Sequence, residues 1–92
     1  MTMYGWDPRK SAENKEKHGI SFEEAQDSIF EKKNVLAVGV AHSKGELRHA
    51  IIGKFKDRYY VGIFTIRTGE IRIISVRRAR HEEERQARSR GL

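Results

Sequence analysis

Among the groups in this 92-residue chain that could do chemistry, four histidines and a late run of arginines stand out, since no cysteine is present for thiolate, disulfide or Cys-based zinc chemistry. His18 is the strongest acid/base candidate. An unperturbed imidazole titrates near neutrality, and His18 sits just before Gly19, at the C-terminal end of a helix, where partial negative charge favours the imidazolium. A histidine that merely caps a helix would occupy the same place, so the residue alone leaves both readings open. His42, His49 and His81 fall in a turn, a strand and the tail, and read as surface residues.

Arg67, Arg72, Arg77, Arg78 and Arg80 offer planar, permanently charged forks that suit phosphate. Cleaving RNA without a metal uses the neighbouring 2′-hydroxyl as nucleophile, so a protein need supply only a proton acceptor, a proton donor and cations for the charge that grows on phosphorus. His18, Arg72 and Arg77 are the catalytic candidates on this reading, with Lys10, Lys17, Arg67, Ser75 and Arg80 as RNA contacts. Lys10, Asn14 and Lys17/His18 share one helix face, which would make a wall of an RNA groove or simply a solvated stripe. One conflict is visible. Alternation along 70–78 puts Arg72 with Ile74 and Val76, and Ser75 and Arg77 with Ile71 and Ile73, so these residues share a site only if a bulge or twist intervenes.

Trp6 reads as a core anchor rather than a base-stacking platform, and Tyr59 and Tyr60 as sheet packing. Gly53 and Gly62 lie inside strands, where close packing or a bulge would require them. No carboxylate cluster has metal-ligand spacing and no glycine-rich phosphate loop is present, so neither metal nor cofactor is expected.

The elements that must position these groups are well punctuated. Asp7-Pro8 is an N-cap followed by the proline favoured at the first helical position, and Gly19 is a natural stop, which predicts a helix over 8–18. It has almost no apolar face and must be pinned by its neighbours. Ser21 and Glu24 form a capping box that starts a second helix, with Phe22, Ala25, Ile29 and Phe30 on its core stripe. Residues 35–40 predict an extended segment or edge strand. Three strands follow at about 48–56, 58–67 and 70–78, with links at Lys56-Asp57 and Thr68-Gly69 short enough to force antiparallel hairpins. Both alternating sets of the middle strand are apolar, so it is central and covered on both faces. The tail 79–90 is a third helix or a frayed arm.

At 37% hydrophobic and 35% charged, the chain is one domain, 1–92, with a thin core to which a partner could contribute. No apolar run approaches a membrane span and the N-terminus lacks a signal-peptide core, which points to the cytoplasm. The net charge of +6 is uneven: residues 1–46 carry seven Lys/Arg against eight Asp/Glu, while 47–92 carry twelve against five. A basic half-chain suits a polyanion such as nucleic acid.

With the elements in place, the chain resembles the BrnT toxins of bacterial type II toxin–antitoxin systems. The resemblance lies in an ordered pattern: Trp6-Asp7, Lys10, Asn14, Lys17-His18-Gly19, Ser21-Phe22, Glu24-Ala25, and later Arg72-Ile73-Ile74-Ser75 with Arg77 and Ala79. It implies an α+β, RelE-like fold, in which an antiparallel sheet (an N-terminal segment plus the three-strand meander) packs with two N-terminal helices and a C-terminal helix. It also implies a ribonuclease that blocks translation. The implied partner is a ribbon-helix-helix, BrnA-like antitoxin, bound as a heterotetramer that represses its own operon and touches operator DNA only through the antitoxin. The segment 32–46 and Val76 depart from the family's pattern. Two other readings use the same residues: a nucleic-acid-binding or regulatory module that does not cleave, and an interaction protein whose sheet edge docks a peptide.

Overall fold

A computed structural model describes residues 2–32 and 36–92. Its elements run β1 (Met3–Gly5), α1 (Pro8–His18), α2 (Phe22–Ala25) with a π-helical turn at Gln26–Phe30, β2 (Leu36–Ser43), β3 (Glu46–Phe55), β4 (Arg58–Arg67), β5 (Glu70–Arg78) and α3 (His81–Ser89). The five strands form one sheet in the order β1-β5-β4-β3-β2. The meander is one strand longer than the expected three, because β2 pairs along most of its length with β3. The start of the expected segment, Val35, lies outside the described residues. The sheet is also not wholly antiparallel, since β1 runs parallel to β5 through Met3↔Glu70 to Gly5↔Arg72.

The three hairpins turn at Lys44-Gly45, Lys56-Asp57 and Thr68-Gly69, all six residues having positive φ. These are two-residue turns whose backbone twist matches the right-handed twist of the flanking strands. Such turns fix register. Ile52 lies opposite Val61 in β3–β4, and Thr65 opposite Arg72 in β4–β5.

Each face of the sheet holds its own core. On one face α1, α2 and the π turn cover Tyr60, Ile73 and Val76 with Ile20, Phe22, Ala25 and Ile29, and Trp6 packs edge-on against Phe22 as an anchor. Gly53 and Gly62 are where the π turn touches down: a Cβ on either would come within 2.9 Å of Ile29 or 2.7 Å of Phe30. On the other face Ala87 of α3 and Leu92 after it lie over Ile52, Tyr59 and Val61. β4 is therefore covered on both sides, as its two apolar sets require.

Helix α1 is pinned by polar groups in place of an apolar stripe. Asp7 caps it by accepting from the Arg9 N–H at 2.9 Å, and Gly19 closes it in the left-handed region. Ser11 accepts from the Phe22 N–H and donates to Glu23. Asn14, only 7% exposed, donates to the Ile20 and Val76 carbonyls and accepts from the Val76 N–H. Because β1 pairs with β5 only as far as Arg72, the outer edge of β5 beyond it would otherwise leave Val76 unpaired. The Asn14 amide fills that place as one rung of a strand would.

Candidate functional site

The conflict over Arg72 and Arg77 is resolved by a bulge. Ile63 pairs with Ser75 but Phe64 pairs with Ile73, so Ile74 is an extra residue without a partner on β4. Thr65, Ile63 and Val61 alternate on one face of β4, and their partners Arg72, Ser75 and Arg77 therefore share that face too. A one-residue insertion thus moves Ser75 and Arg77 to Arg72's side, which regular alternation denied them.

Sharing a face does not make these residues one site. Arg77 lies where α3 covers the sheet, and its fork grips Glu83 through two bonds of 2.8 Å. This half-buried pair holds the Glu83 carboxyl down at about 2, chiefly through the guanidinium hydrogen bonds, and Glu83 also accepts from the Arg80 N–H at the start of α3. Arg77 is thus engaged in fastening the C-terminal helix. Arg80 itself is exposed, and Ser75 is half-buried.

Arg72 instead lines a compact cavity of about 130 Å³ together with Asp7, Lys10, Arg48, Arg67, Ile73 and Ile74. Three sequence candidates, Lys10, Arg67 and Arg72, meet here, drawn from the first helix and the last two strands. Residues 7 and 10 reach the cavity because β1 lays the N-terminus beside β5 and the chain turns into α1 directly after it. Arg67 is paired bidentately with Glu46, at 2.7 and 3.1 Å. Among the described residues Lys10, Arg48 and Arg72 have no acidic partner within ion-pair distance. Asp7 contributes the cavity's one carboxylate, which caps α1 through a single oxygen.

Arg48 is the member that the candidate residues above omit. Its Nε is buried and has no hydrogen-bond partner among the described residues. An unsatisfied buried donor costs on the order of 1–3 kcal/mol, and such a cost is tolerated where a ligand completes the bond. The signal was in the turns: the two-residue links at 56–57 and 68–69 align Arg48 and Arg72 across β3, β4 and β5 with Thr65 between them. Thr65 is buried and donates to the Leu47 carbonyl at 2.8 Å, so the two guanidinium groups flank a spacer that is already satisfied.

His18 is elsewhere. It lines a second cavity of about 380 Å³, at the opposite end of the sheet, with Gly19, Phe55, Lys56, Arg58, Tyr60 and Arg78. Its carbonyl accepts from the Tyr60 hydroxyl at 3.4 Å. The structure therefore does not bring His18, Arg72 and Arg77 together: one is in each cavity and the third is locked under α3. Lys17, next to His18 on α1, is exposed and lines neither cavity. His42 and His81 are exposed as expected, whereas His49 is half-buried and stacks on Phe64 at 5.2 Å. Tyr59 and Tyr60 are core residues.

Among the described residues no group of three or more His, Cys, Asp or Glu side chains is placed to hold a metal ion, and no helix is long and apolar enough to cross a membrane. A family model described as the ribonuclease toxin BrnT of type II toxin–antitoxin systems matches residues 6–83. No curated protein matches the chain.

Proposed function

The chain belongs to the BrnT family of type II toxin–antitoxin ribonuclease toxins, and from that premise we propose that it cleaves RNA without a metal ion in the cavity where Asp7, Lys10, Arg48 and Arg72 meet. The carrying observation is that convergence: one carboxylate, one ammonium and two guanidinium groups with no ion-pair partner among the described residues, drawn from the start of α1 and from β3 and β5, line one small cavity, with a buried Arg48 donor left open. Cations alone would bind phosphate; a carboxylate among them adds a proton acceptor.

In the proposed reaction the Asp7 carboxylate takes the proton of the 2′-hydroxyl as its oxygen attacks the adjacent phosphorus. The P–O5′ bond breaks, and Lys10 protonates the leaving oxygen. The products are a 2′,3′-cyclic phosphate and a 5′-hydroxyl. Arg48 and Arg72 hold the non-bridging oxygens, where charge grows most, with forks already in place before substrate arrives. Arg67, tied to Glu46, and Ser75 lie on the same face and are assigned to neighbouring phosphates. Arg80 and Lys17 are assigned to outer contacts along the strand.

Family membership also supports a cognate antitoxin, and the finer reading is that it is a ribbon-helix-helix protein of BrnA type. It would bind in a heterotetramer that covers a RelE-like toxin, represses the operon and meets operator DNA through the antitoxin alone. The setting would be the cytoplasm and the consequence of release an arrest of translation. The test is induction of this chain alone and with its neighbouring gene, followed by incubation of the purified protein with total RNA in chelator. Growth arrest relieved by the neighbour, with RNA cleaved to cyclic-phosphate ends despite the chelator, is the expected result. Intact RNA from folded protein would leave a binding or regulatory module as the better account.

A further inference from the structure

The second cavity carries four groups able to bear positive charge, His18, Lys56, Arg58 and Arg78, and no acidic residue lines it. None of the four forms an ion pair among the described residues, whereas Arg67, Arg77, Arg85 and Arg88 are all paired. Four such groups around one cavity repel one another, so the arrangement favours an anion. The walls add a second chemistry. Phe55 and Tyr60 meet edge to face at 6.0 Å, the Arg78 guanidinium lies 5.7 Å from the centre of the Tyr60 ring, and the Lys56 ammonium lies 5.3 Å from that of Phe55. The aromatic faces are thus already paired with the cations that would grip a phosphate.

The hairpin at the cavity's mouth is consistent with this. Lys56 and Asp57 both have positive φ, at 52° and 62°, and this is the one two-residue turn of the three that contains no glycine. Backbone strain of this kind persists where the surrounding structure holds it, and such positions cluster at binding sites. Asp57 itself is exposed and does not line the cavity.

We infer that this cavity is a nucleotide-binding subsite for single-stranded RNA, separate from the proposed cleavage cavity, in which Arg58, Arg78 and Lys56 hold a phosphate and the half-buried Phe55, backed by the buried Tyr60, lies against a base. Its volume of about 380 Å³ falls in the range of small-ligand pockets. An acidic peptide segment would use the cations but leave the rings without a role, and the combination of both is the usual means of binding single strands.

The test is fluorescence anisotropy of a labelled 2′-O-methyl RNA 12-mer on the purified protein. That RNA lacks the 2′ nucleophile, so the outcome does not depend on where, or whether, the protein cleaves. The Arg58→Ala/Arg78→Ala variant is expected to bind about tenfold more weakly and to lower the slope of log K against log salt by about 0.7, the value for one phosphate contact on a single strand. Arg58→Lys/Arg78→Lys keeps the charge, so the slope should stay near wild type while part of the affinity is lost with the planar stack. Adenosine monophosphate should compete for the cavity better than inorganic phosphate. Unchanged affinity and slope in folded variants would overturn the subsite, as would equal competition by the two anions. Retained RNA affinity with weakened binding of the antitoxin would overturn it in favour of a protein-binding role.

Discussion

The two cavities at opposite ends of the sheet are both basic, yet they are built differently. The one beside β1 mixes Lys10, Arg48 and Arg72 with the Asp7 carboxylate and with an Arg67–Glu46 pair. The one beside the 56–57 hairpin has cations and rings, with no carboxylate. Both could attract RNA, but among the described residues only the first sets a carboxylate among the cations that would stabilise a developing phosphorane. Charge alone therefore does not identify the reactive end; the company the charges keep does. The same contrast holds between two arginines on one face of β5. Arg77, brought to that face by the Ile74 bulge, spends its fork on Glu83 and fastens α3, while Arg72 forms no ion pair among the described residues.

The sharpest way to break this contrast is Asp7→Asn. Asparagine still caps α1, so the fold should hold, while cleavage should fall by roughly 10²–10⁴ with the loss of the proton acceptor. Single-turnover rates with matched melting curves would check it, and a variant that cleaves normally removes the chemical distinction between the cavities. Arg48→Met probes the buried Nε. Removing an unsatisfied donor should raise stability by about 1 kcal/mol, a Tm increase of roughly 5 °C, while cleavage drops at least about tenfold; a variant that is both less stable and fully active would assign Arg48 to packing.

Glu83→Gln tests the fastened arginine. The folded Glu83 carboxyl titrates at about 2, below its ordinary 4.5. Its contribution to stability is therefore complete above about pH 4.5 and is lost as pH falls from there toward 2. At neutral pH the substitution should cost about 2–3 kcal/mol, and denaturant melts should then be flatter across that acid window than those of wild type. Equal acid sensitivity in both proteins would show that the pair does not hold α3. The smallest effect belongs to the second cavity's hairpin: Lys56→Asn/Asp57→Gly should stabilise the chain by about 1 kcal/mol, because Asn and Gly tolerate the left-handed backbone that Lys56 and Asp57 hold at a cost. A destabilised variant would show that this turn carries no strain.

Much of the scaffold could be read from short-range signals. Asp7-Pro8 and Gly19 bound α1, Ser21 and Glu24 start α2, and the two-residue turns set the strands at 58–67 and 70–78. Trp6 and the two-sided burial of β4 followed from apolar patterning. The rest depends on distant partners. Three residues, Met3–Gly5, have no pattern of their own and become a strand only by lying along β5. Asn14 read as part of a polar stripe, an RNA-groove wall or a solvated face, and is instead buried, because its amide replaces a missing strand at Val76. The bulge is a single isoleucine in a run of apolar residues, which periodicity cannot resolve. The proposed cleavage cavity was half legible: Lys10, Arg67 and Arg72 were candidates, Arg48 could have been found by following the hairpin register, and the place of His18 required the fold.

The most direct test compares Arg72→Ala with His18→Ala in chelator, at saturating RNA, with analysis of the product ends. Loss of cleavage by about 10²–10³ in Arg72→Ala, with wild-type rates and 2′,3′-cyclic phosphate ends retained in His18→Ala, is the result this account predicts. The reverse pattern, an inert His18→Ala beside an active Arg72→Ala, would contradict it and move the chemistry to the other end of the sheet.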